Sequence, residues 1–269
     1  MPYLMTPRGV AWHYETAGQG EPLIFIHGWA ADQRIWGQQV EFFCKTHQVV
    51  SLDLPGHGQS GWSEMSLKDI AEELNFLLQG LKVDEVNLVA SSLGGLVALK
   101  YFELFPAQVR RFVFVGSLPR FAKSKEHPFG LEVPRIRKLK SQVQEDFPEI
   151  LNIFFRSLFT VEERESLRFQ WLQTFQKSAD LPDPQALEKY LRMLEKEDLT
   201  PLLPEVRVPA LLVSGSEDYI CSPESLRNFH AQLSGAQMQL FSDCGHFPFL
   251  SRPEEFNVIV RQFLTDDTS

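Results

Sequence analysis

The sequence predicts an α/β fold in which a mostly parallel sheet is flanked by helices. Short apolar runs, rich in β-branched residues and bounded by turn residues, alternate with longer segments whose apolar residues recur every 3.6 positions. In addition, 43% of the 269 residues are hydrophobic, which is enough to bury one sizeable core. Disordered and fibrous classes are thereby excluded.

Each element follows from this alternation. The predicted strands are apolar runs with turn residues at their ends, and they span residues 10–15, 23–27, 49–54, 86–90, 112–115, 210–214 and 238–241. The helix predicted over 66–81 has a regular apolar stripe, and Ser66 and Asp69 form a capping pair at its start. Further helices are predicted over 93–105, 223–233 and 253–264.

Strand patterns are missing between about residues 118 and 199. Segments 149–159, 161–177 and 184–197 have helical periods there and are rich in aromatic residues. We therefore expect a helical cap over 118–199, inserted between two late strands. The core domain would then consist of residues 1–117 and 200–269.

The net charge of −9 argues against a nucleic-acid partner, because a phosphate backbone would be repelled. The charge is unevenly spread, since residues 120–140 contain seven basic and two acidic side chains, a local net charge of +5. This stretch is either a docking surface for an acidic partner or an ordinary solvated surface. Its candidate docking residues are Arg135, Arg137 and Lys138.

No apolar stretch approaches the roughly 20 residues that cross a membrane, and the first residues do not resemble a signal peptide. We therefore expect a cytoplasmic protein without a membrane partner. The three cysteines stand at unrelated spacings, which indicates buried thiols rather than a zinc site. We expect no metal, no cofactor and a monomer.

The segment VNLVASSLGGLVALKYF at 86–102 predicts a nucleophile. An apolar strand runs directly into an apolar helix there, through a G-x-S-x-G elbow in which Ala90 replaces the first glycine. The turn is so tight that Ser92 must adopt a strained backbone geometry among small residues. The alternative is a plain turn in which Ser92 only caps the helix.

A serine nucleophile needs a histidine that accepts its proton and a carboxylate that orients this histidine. Asp218 follows the strand 210–214 and His246 follows the strand 238–241, so both lie at the carboxyl edge of the sheet. The order Ser92, Asp218, His246 is the one expected for such a site. Glu217 and Asp243 compete for the acid's role, and His246 is alternatively an ordinary loop histidine.

Acyl transfer also needs N–H donors for the negative oxygen that develops on the substrate carbonyl. His27-Gly28-Trp29 directly follows a strand, and Leu93 follows the nucleophile. We therefore expect the backbone amides of Trp29 and Leu93 to form an oxyanion hole, with Gly28 permitting a close backbone approach. His27 is expected to be a structural hydrogen-bonder beneath this loop.

Five motifs resemble the α/β-hydrolase superfamily across nearly the full chain, namely HGW at 27–29, DLPGHGQS at 53–60, SSLGG at 91–95, GSED at 215–218 and GHFPF at 245–249. The resemblance implies the α/β-hydrolase fold with a helical cap. Within the superfamily, FIHGWAADQRIW, EDLTPLLPEVRVPALLVSGSEDYICSPES and CGHFPFLSRPEEF resemble the pimeloyl-acyl-carrier-protein methyl ester esterases of biotin synthesis.

This second resemblance implies a serine carboxylic ester hydrolase that removes a methyl group from a seven-carbon acyl chain held on acyl carrier protein. The candidate substrate-binding residues are Trp29, Ser91, Phe154, Phe155 and Phe247. A broad carboxylesterase or a lactonase would use the same catalytic residues. An alternative of another class is a noncatalytic ligand receptor on the same fold.

Overall fold

The computed structural model describes residues 3–166, 169–170 and 180–266. Within these residues, eight strands form one sheet in the order β1-β2-β4-β3-β5-β6-β7-β8. The first two pairings, β1 with β2 and β2 with β4, are antiparallel and the others are parallel. The strands are β1 (Tyr3–Met5), β2 (Ala11–Ala17), β3 (Glu21–Ile26), β4 (His47–Leu52), β5 (Val86–Ser91), β6 (Val109–Val115), β7 (Ala210–Gly215) and β8 (Gln237–Phe241).

Helices pack against this sheet and against each other. The predicted mostly parallel sheet flanked by helices is confirmed. The helices are α1 (Gly37–Phe43), α2 (Leu67–Gly80), α3 (Leu93–Leu104), α4 (Val133–Glu145), α5 (Glu149–Ser157), α6 (Val161–Arg164), α7 (Pro184–Lys196), α8 (Pro223–Gln232), α9 (Pro248–Ser251) and α10 (Pro253–Thr265).

The sequences of the central strands are unbroken apolar runs, because helices cover both faces of the sheet. Every residue of β5 and β7 is buried, as are the last four residues of β3. The capping pair predicted for α2 is confirmed. Ser66 Oγ accepts the Asp69 N–H at 3.2 Å, and the Asp69 carboxylate accepts the Ser66 N–H at 2.8 Å.

Three helices, α4, α5 and α7, and the short α6 lie between β6 and β7 in the chain. There, α4 packs against both α7 and α5. Hydrogen bonds tie α7 to the loops after β3 and β4, since Trp29 Nε1–H donates to Leu187 O at 3.0 Å and Tyr190 Oη–H donates to Pro55 O at 3.2 Å. The division into a core domain and a cap stays a prediction.

The structure differs from the sequence prediction in several places. The short strand β1 and the helices α1, α4 and α9 were not predicted. The predicted helix 161–177 is interrupted near its start, since α6 ends at Arg164 and is followed by a turn at Glu165, whereas residues 169–170 are helical. Most of the remainder of that predicted helix lies outside the described residues. Among the described helices, none combines the length and the hydropathy that crossing a bilayer requires.

Candidate active site

Ser92 forms the turn between β5 and α3, with backbone angles φ 52° and ψ −119°. Such a conformation costs a non-glycine residue about 1–3 kcal/mol, so its surroundings must hold it. The Ser92 N–H donates to Val115 O at 2.8 Å, and Ser117 Oγ–H donates to Ser92 O at 2.8 Å. The Ser92 side chain makes no capping bond to α3, which disagrees with the alternative that it only caps this helix.

Glycines surround the turn because no side chain fits there. A Cβ at Gly28 would lie 3.0 Å from Ser92 Cβ and 3.7 Å from its Oγ. A Cβ at Gly94 would lie 2.7 Å from the carbonyl oxygens of both Ile26 and His27. The loop after β3 therefore comes into close contact with the nucleophile elbow.

A buried carboxylate and an imidazole meet at the carboxyl ends of β7 and β8. His246 Nδ1 lies 2.7 Å from Asp218 Oδ2, and both side chains are almost completely shielded from solvent. The two competing acids, Glu217 and Asp243, are exposed. The geometry therefore favours Asp218 as the partner of His246.

Asp218 is held by more than the histidine. Its Oδ2 accepts Ser214 Oγ–H at 2.7 Å, and its Oδ1 accepts the N–H groups of Ile220 at 2.8 Å and Cys221 at 3.0 Å. Burial by itself would raise the pKa of this carboxyl. The neighbouring His246 and the hydrogen bonds outweigh burial and hold the pKa of Asp218 below its ordinary value.

The tautomer of His246 follows from this partner. An ionised carboxylate can only accept a hydrogen bond, so Nδ1 carries the proton and donates to Asp218. The lone pair on Nε2 is thereby left to accept a proton. His246 and Ser92 line the same cavity.

Two backbone N–H groups next to Ser92 have no acceptor among the described residues, those of Trp29 and Leu93. Leu93 is the first residue of α3, where a helix leaves its N–H groups unpaired. Trp29 follows Gly28, whose backbone approaches Ser92 closely. These two donors are available for an oxygen that develops negative charge in the cavity.

The rings of His27 and His57 hydrogen-bond the backbone of the loop after β3, which contains Trp29 and is called the Trp29 loop. His27 Nδ1–H donates to Gly28 O at 2.8 Å while its Nε2 accepts the Leu54 N–H at 2.9 Å, and His57 Nε2 accepts the Ala30 N–H at 3.2 Å. Burial lowers the pKa of His27. Burial, reinforced by the nearby His27, lowers the pKa of His57 to about 3. Both rings are neutral hydrogen-bonders, as the sequence predicts for His27.

A cavity of about 280 Å³ opens above Ser92 and His246. Its walls are mostly apolar, and the helices α4, α5 and α7 supply much of them. The contributing side chains of these helices include Ile136, Leu139, Ile150, Ile153, Leu191 and Leu194. Such a cavity suits a substrate with an aliphatic chain next to its reacting group.

Comparison with known proteins agrees with this geometry. The sequence model of the alpha/beta hydrolase family matches residues 23–258. The chain belongs to this family. It is therefore a hydrolase.

Several relatives of this α/β hydrolase carry the same name. A pimeloyl-[acyl-carrier protein] methyl ester esterase from Nitrosomonas europaea is 31% identical over 245 residues, covering 91% of this chain and 96% of the relative. A protein of that name from Photobacterium profundum is 29% identical over 253 residues, covering 93% and 97%. Among solved structures, an esterase from Exiguobacterium antarcticum superposes with a TM-score of 0.89 at 24% identity, covering 98% of this chain and 99% of the esterase.

Three of the five predicted substrate-binding residues of this α/β hydrolase line the cavity, namely Trp29, Phe154 and Phe247. Trp29 and Phe154 pack edge to face, with ring centroids 4.7 Å apart. Ser91 and Phe155 do not line it, so their prediction is corrected. Ser91 is the fully buried last residue of β5, and its Oγ has no hydrogen-bond partner among the described residues. Phe155 packs behind Phe247 at a centroid distance of 5.7 Å.

The sequence prediction missed a pair of hydroxyl groups on the cavity wall. Tyr219 Oη and Ser157 Oγ lie 2.7 Å apart, and the Arg135 guanidinium lies 4.0 Å from the centroid of the Tyr219 ring. The sequence feature that could have revealed this pair is the position of Tyr219, directly after Asp218. This pair connects the loop after β7 with the cap helices α4 and α5.

The three predicted docking residues are exposed on α4 but have different neighbours. Arg135 and Lys138 lie three positions apart on α4 and both line the cavity. Arg137 pairs instead with Glu195 of α7, with Nη2 2.7 Å from Oε1. Positive charge at the cavity therefore comes from Arg135 and Lys138, while Arg137 links two cap helices.

Cys221 lies near the acid and the base, and its ligand atom falls within 4.8 Å of theirs. These three residue types can bind a metal ion, but a thiol must first lose its proton. Cys221 Sγ–H donates to Gly116 O at 2.9 Å, and burial raises the pKa of this thiol well above its ordinary value. The group fits a hydrogen-bonded acid and base better than a metal centre.

Proposed function

We propose that this α/β hydrolase is a serine carboxylic ester hydrolase with Ser92 as its nucleophile. The observation that carries this proposal is the buried Asp218–His246 pair, joined at 2.7 Å, in the same cavity as a serine held at a strained elbow. A receptor without catalysis would have no need to store strain at Ser92 or to hold a buried carboxylate beside His246.

In the first half of the proposed reaction, Ser92 Oγ attacks the ester carbonyl carbon and its proton passes to His246 Nε2. Asp218 stabilises the imidazolium ion that results. The carbonyl oxygen becomes negatively charged and accepts hydrogen bonds from the Trp29 and Leu93 N–H groups. Collapse of this intermediate breaks the bond to the alcohol, which leaves with the proton from His246.

The second half of the reaction releases the acid. A water molecule gives a proton to His246 Nε2 and attacks the acyl group on Ser92. The same two N–H donors stabilise the second tetrahedral intermediate. Its collapse breaks the bond to Ser92 Oγ, which recovers a proton from His246, and the carboxylic acid departs.

As the specific substrate, we propose the methyl ester of a pimeloyl chain on acyl carrier protein. Three observations support it, namely the names of the relatives, the apolar cavity and the two cationic side chains at its wall. In this proposal the cap, residues 118–199, encloses the acyl chain, and Arg135 and Lys138 face the acidic carrier. The proposal also places the protein in the cytoplasm, with acyl carrier protein as its partner.

The test is a parallel assay of pimeloyl-carrier methyl ester, free pimeloyl dimethyl ester and a short aryl ester. We expect hydrolysis of all three, with the highest kcat/KM on the carrier-bound ester. Equal kcat/KM on the carrier-bound and free esters would contradict the carrier as a partner. Hydrolysis of the aryl ester alone would contradict the pimeloyl substrate but not the esterase chemistry.

A further inference from the structure

The chain from α5 to the end of α6, called the cap segment here, accepts hydrogen bonds from the loop that contains His246. The His246 N–H donates to Leu158 O at 2.8 Å. The N–H of the preceding residue, Gly245, donates to the Glu163 carboxylate, at 3.0 Å from Oε2 and 3.2 Å from Oε1. Both acceptors lie in the chain between α5 and the end of α6, and neither belongs to the sheet.

The contact at Gly245 is too close to admit a side chain. A Cβ on Gly245 would lie 2.3 Å from Leu158 O and 2.9 Å from Glu163 Oε2. Gly245 is buried, and a buried N–H that loses its acceptor costs about 1–3 kcal/mol. A backbone N–H that loses its acceptor in such a place would move to find another.

The orientation of the Glu163 carboxylate is itself fixed. Its Oε2 accepts the Thr160 N–H at 2.7 Å, and Thr160 Oγ1 accepts the Glu163 N–H at 3.1 Å. This reciprocal pair is a capping box at the start of α6. A single carboxylate therefore caps α6 and holds the backbone next to His246.

Aromatic packing supports the same contact. Phe155 and Phe159 of the cap segment lie with ring centroids 5.7 Å and 5.8 Å from that of Phe247, the residue after His246. Glu163 itself does not line the cavity. Its influence on a substrate would therefore have to pass through the histidine loop.

We propose that Glu163 is a positioning residue for His246, holding the Gly245 N–H so that Nε2 faces the nucleophile while Nδ1 faces Asp218. The proposal rests on the proposed function, in which His246 is the base. Small displacements of a catalytic group have large effects on rate, because reacting atoms must approach within about 3–3.5 Å. The alternative is that Glu163 only stabilises the fold of the cap.

The experiment compares four variants with the wild type. For each, kcat and KM are measured on a short aryl ester, together with the rate at which a fluorophosphonate labels Ser92. Glu163→Ala removes the acceptor, and Glu163→Gln keeps one acceptor oxygen. Glu162→Gln is the charge control on the same helix, at an exposed side chain. Thr160→Ala removes the other half of the capping box but leaves the Glu163 carboxylate available to Gly245.

We expect Glu163→Ala to lower kcat and the labelling rate by about 10- to 100-fold, with KM changed less than about twofold. Glu163→Gln should recover much of the lost rate. Glu162→Gln and Thr160→Ala should keep kcat within about twofold of the wild type, even though Thr160→Ala lowers the melting temperature through the lost cap.

Wild-type kcat and labelling rate in Glu163→Ala would overturn the proposal. An equal loss of kcat in Thr160→Ala would also overturn it, because cap stability alone would then explain the effect. Failure of the proposed function would look different. The wild-type protein would then leave the ester intact, whereas failure of the Glu163 proposal leaves wild-type hydrolysis and Ser92 labelling unchanged.

Discussion

The edge of the sheet and the wall of the cap are built differently, although they enclose one cavity. At the edge of the sheet, Asp218 alone accepts four hydrogen bonds from groups at fixed positions. The cap wall is made mainly of aliphatic side chains, with Arg135 and Lys138 among them. We expect the fold and activity to tolerate few substitutions at the hydrogen-bonded edge of the sheet. Many substitutions should be tolerated among the aliphatic side chains of the wall.

This difference separates reaction from selectivity. Atoms that must transfer a proton are fixed to within a fraction of an ångström by buried hydrogen bonds, which only particular residues can make. An apolar wall needs only volume and hydrophobicity, so unrelated sequences can build it. We therefore expect substitutions at the sheet edge to change kcat. Substitutions of the aliphatic side chains that line the cavity should change KM and substrate choice.

The largest effect is expected at the nucleophile. Ser92→Ala should lower kcat/KM for every ester by a factor on the order of 10⁵ or more, because the attacking oxygen is removed. Ser91→Ala is the matched control, since the Ser91 hydroxyl is buried and outside the cavity. It should keep activity within about twofold. A reversed result would move the nucleophile to Ser91, and mass spectrometry after fluorophosphonate treatment would locate the adduct.

The next largest effect concerns the acid. Asp218→Asn should lower kcat by about 10³- to 10⁴-fold, because the amide favours the wrong tautomer of His246 and cannot stabilise the imidazolium ion. Glu217→Gln, at the exposed neighbouring position, should change kcat by less than about twofold. The measurement is steady-state hydrolysis of a short aryl ester. A severe loss in Glu217→Gln with a mild one in Asp218→Asn would contradict the assignment.

A smaller effect is expected on the cap. Reversing Arg135 and Lys138 to Glu should raise KM for the carrier-bound ester about tenfold at low salt, and added salt should reduce the difference through screening. Arg137→Glu is the control, because Arg137 already pairs with Glu195. Its KM should stay near the wild-type value. If the double variant were equally impaired on free pimeloyl dimethyl ester, the two cations would act on the acyl chain rather than on the carrier.

The smallest effect concerns the pH dependence of the free energy of unfolding, which arises from the buried His57. Below about pH 6.5 the unfolded chain protonates His57, whereas in the folded chain its pKa lies at about 3. The unfolded state then binds more protons, so the free energy of unfolding falls as the pH decreases, by at most about 1.4 kcal/mol per pH unit for this histidine. Between pH 7 and 5 the loss is about 2 kcal/mol.

Urea unfolding at pH 7, 6 and 5 measures this loss. His57→Gln keeps an acceptor for the Ala30 N–H and should flatten the dependence on pH. Some slope should persist, because burial also lowers the pKa of His27. An unchanged slope in His57→Gln would show that the acid sensitivity arises elsewhere.

Much of the sheet edge could be predicted from the sequence. Parallel strands end at one edge, so residues that follow β5, β7 and β8 must come together there. Asp218 could be preferred to Glu217 only by position, whereas the structure separates them by burial. The helix α4 was missed because its residues are mostly polar or charged, although Pro134 and the apolar positions Ile136 and Val143 were available as signals.

The cap contacts could not be predicted for a physical reason. Leu158 meets His246 through a backbone carbonyl, which every residue carries, so no side-chain pattern marks the contact. Glu163 is one of several acidic residues in its segment, and only the fold brings it to Gly245. Ser91 and Phe155 were predicted to bind the substrate, but neither side chain lines the cavity.

The strand order has a consequence for partial unfolding. Among the described strands, β8 is the outermost at its end of the sheet and pairs only with β7. Edge elements open at a lower free energy than the whole molecule, so β8 can detach while the inner strands stay paired. His246 follows this strand, whereas Ser92 follows the central strand β5. During gradual denaturation, catalysis would therefore vanish before the bulk of the secondary structure, and enzymatic turnover reports on the periphery of the sheet rather than on its centre.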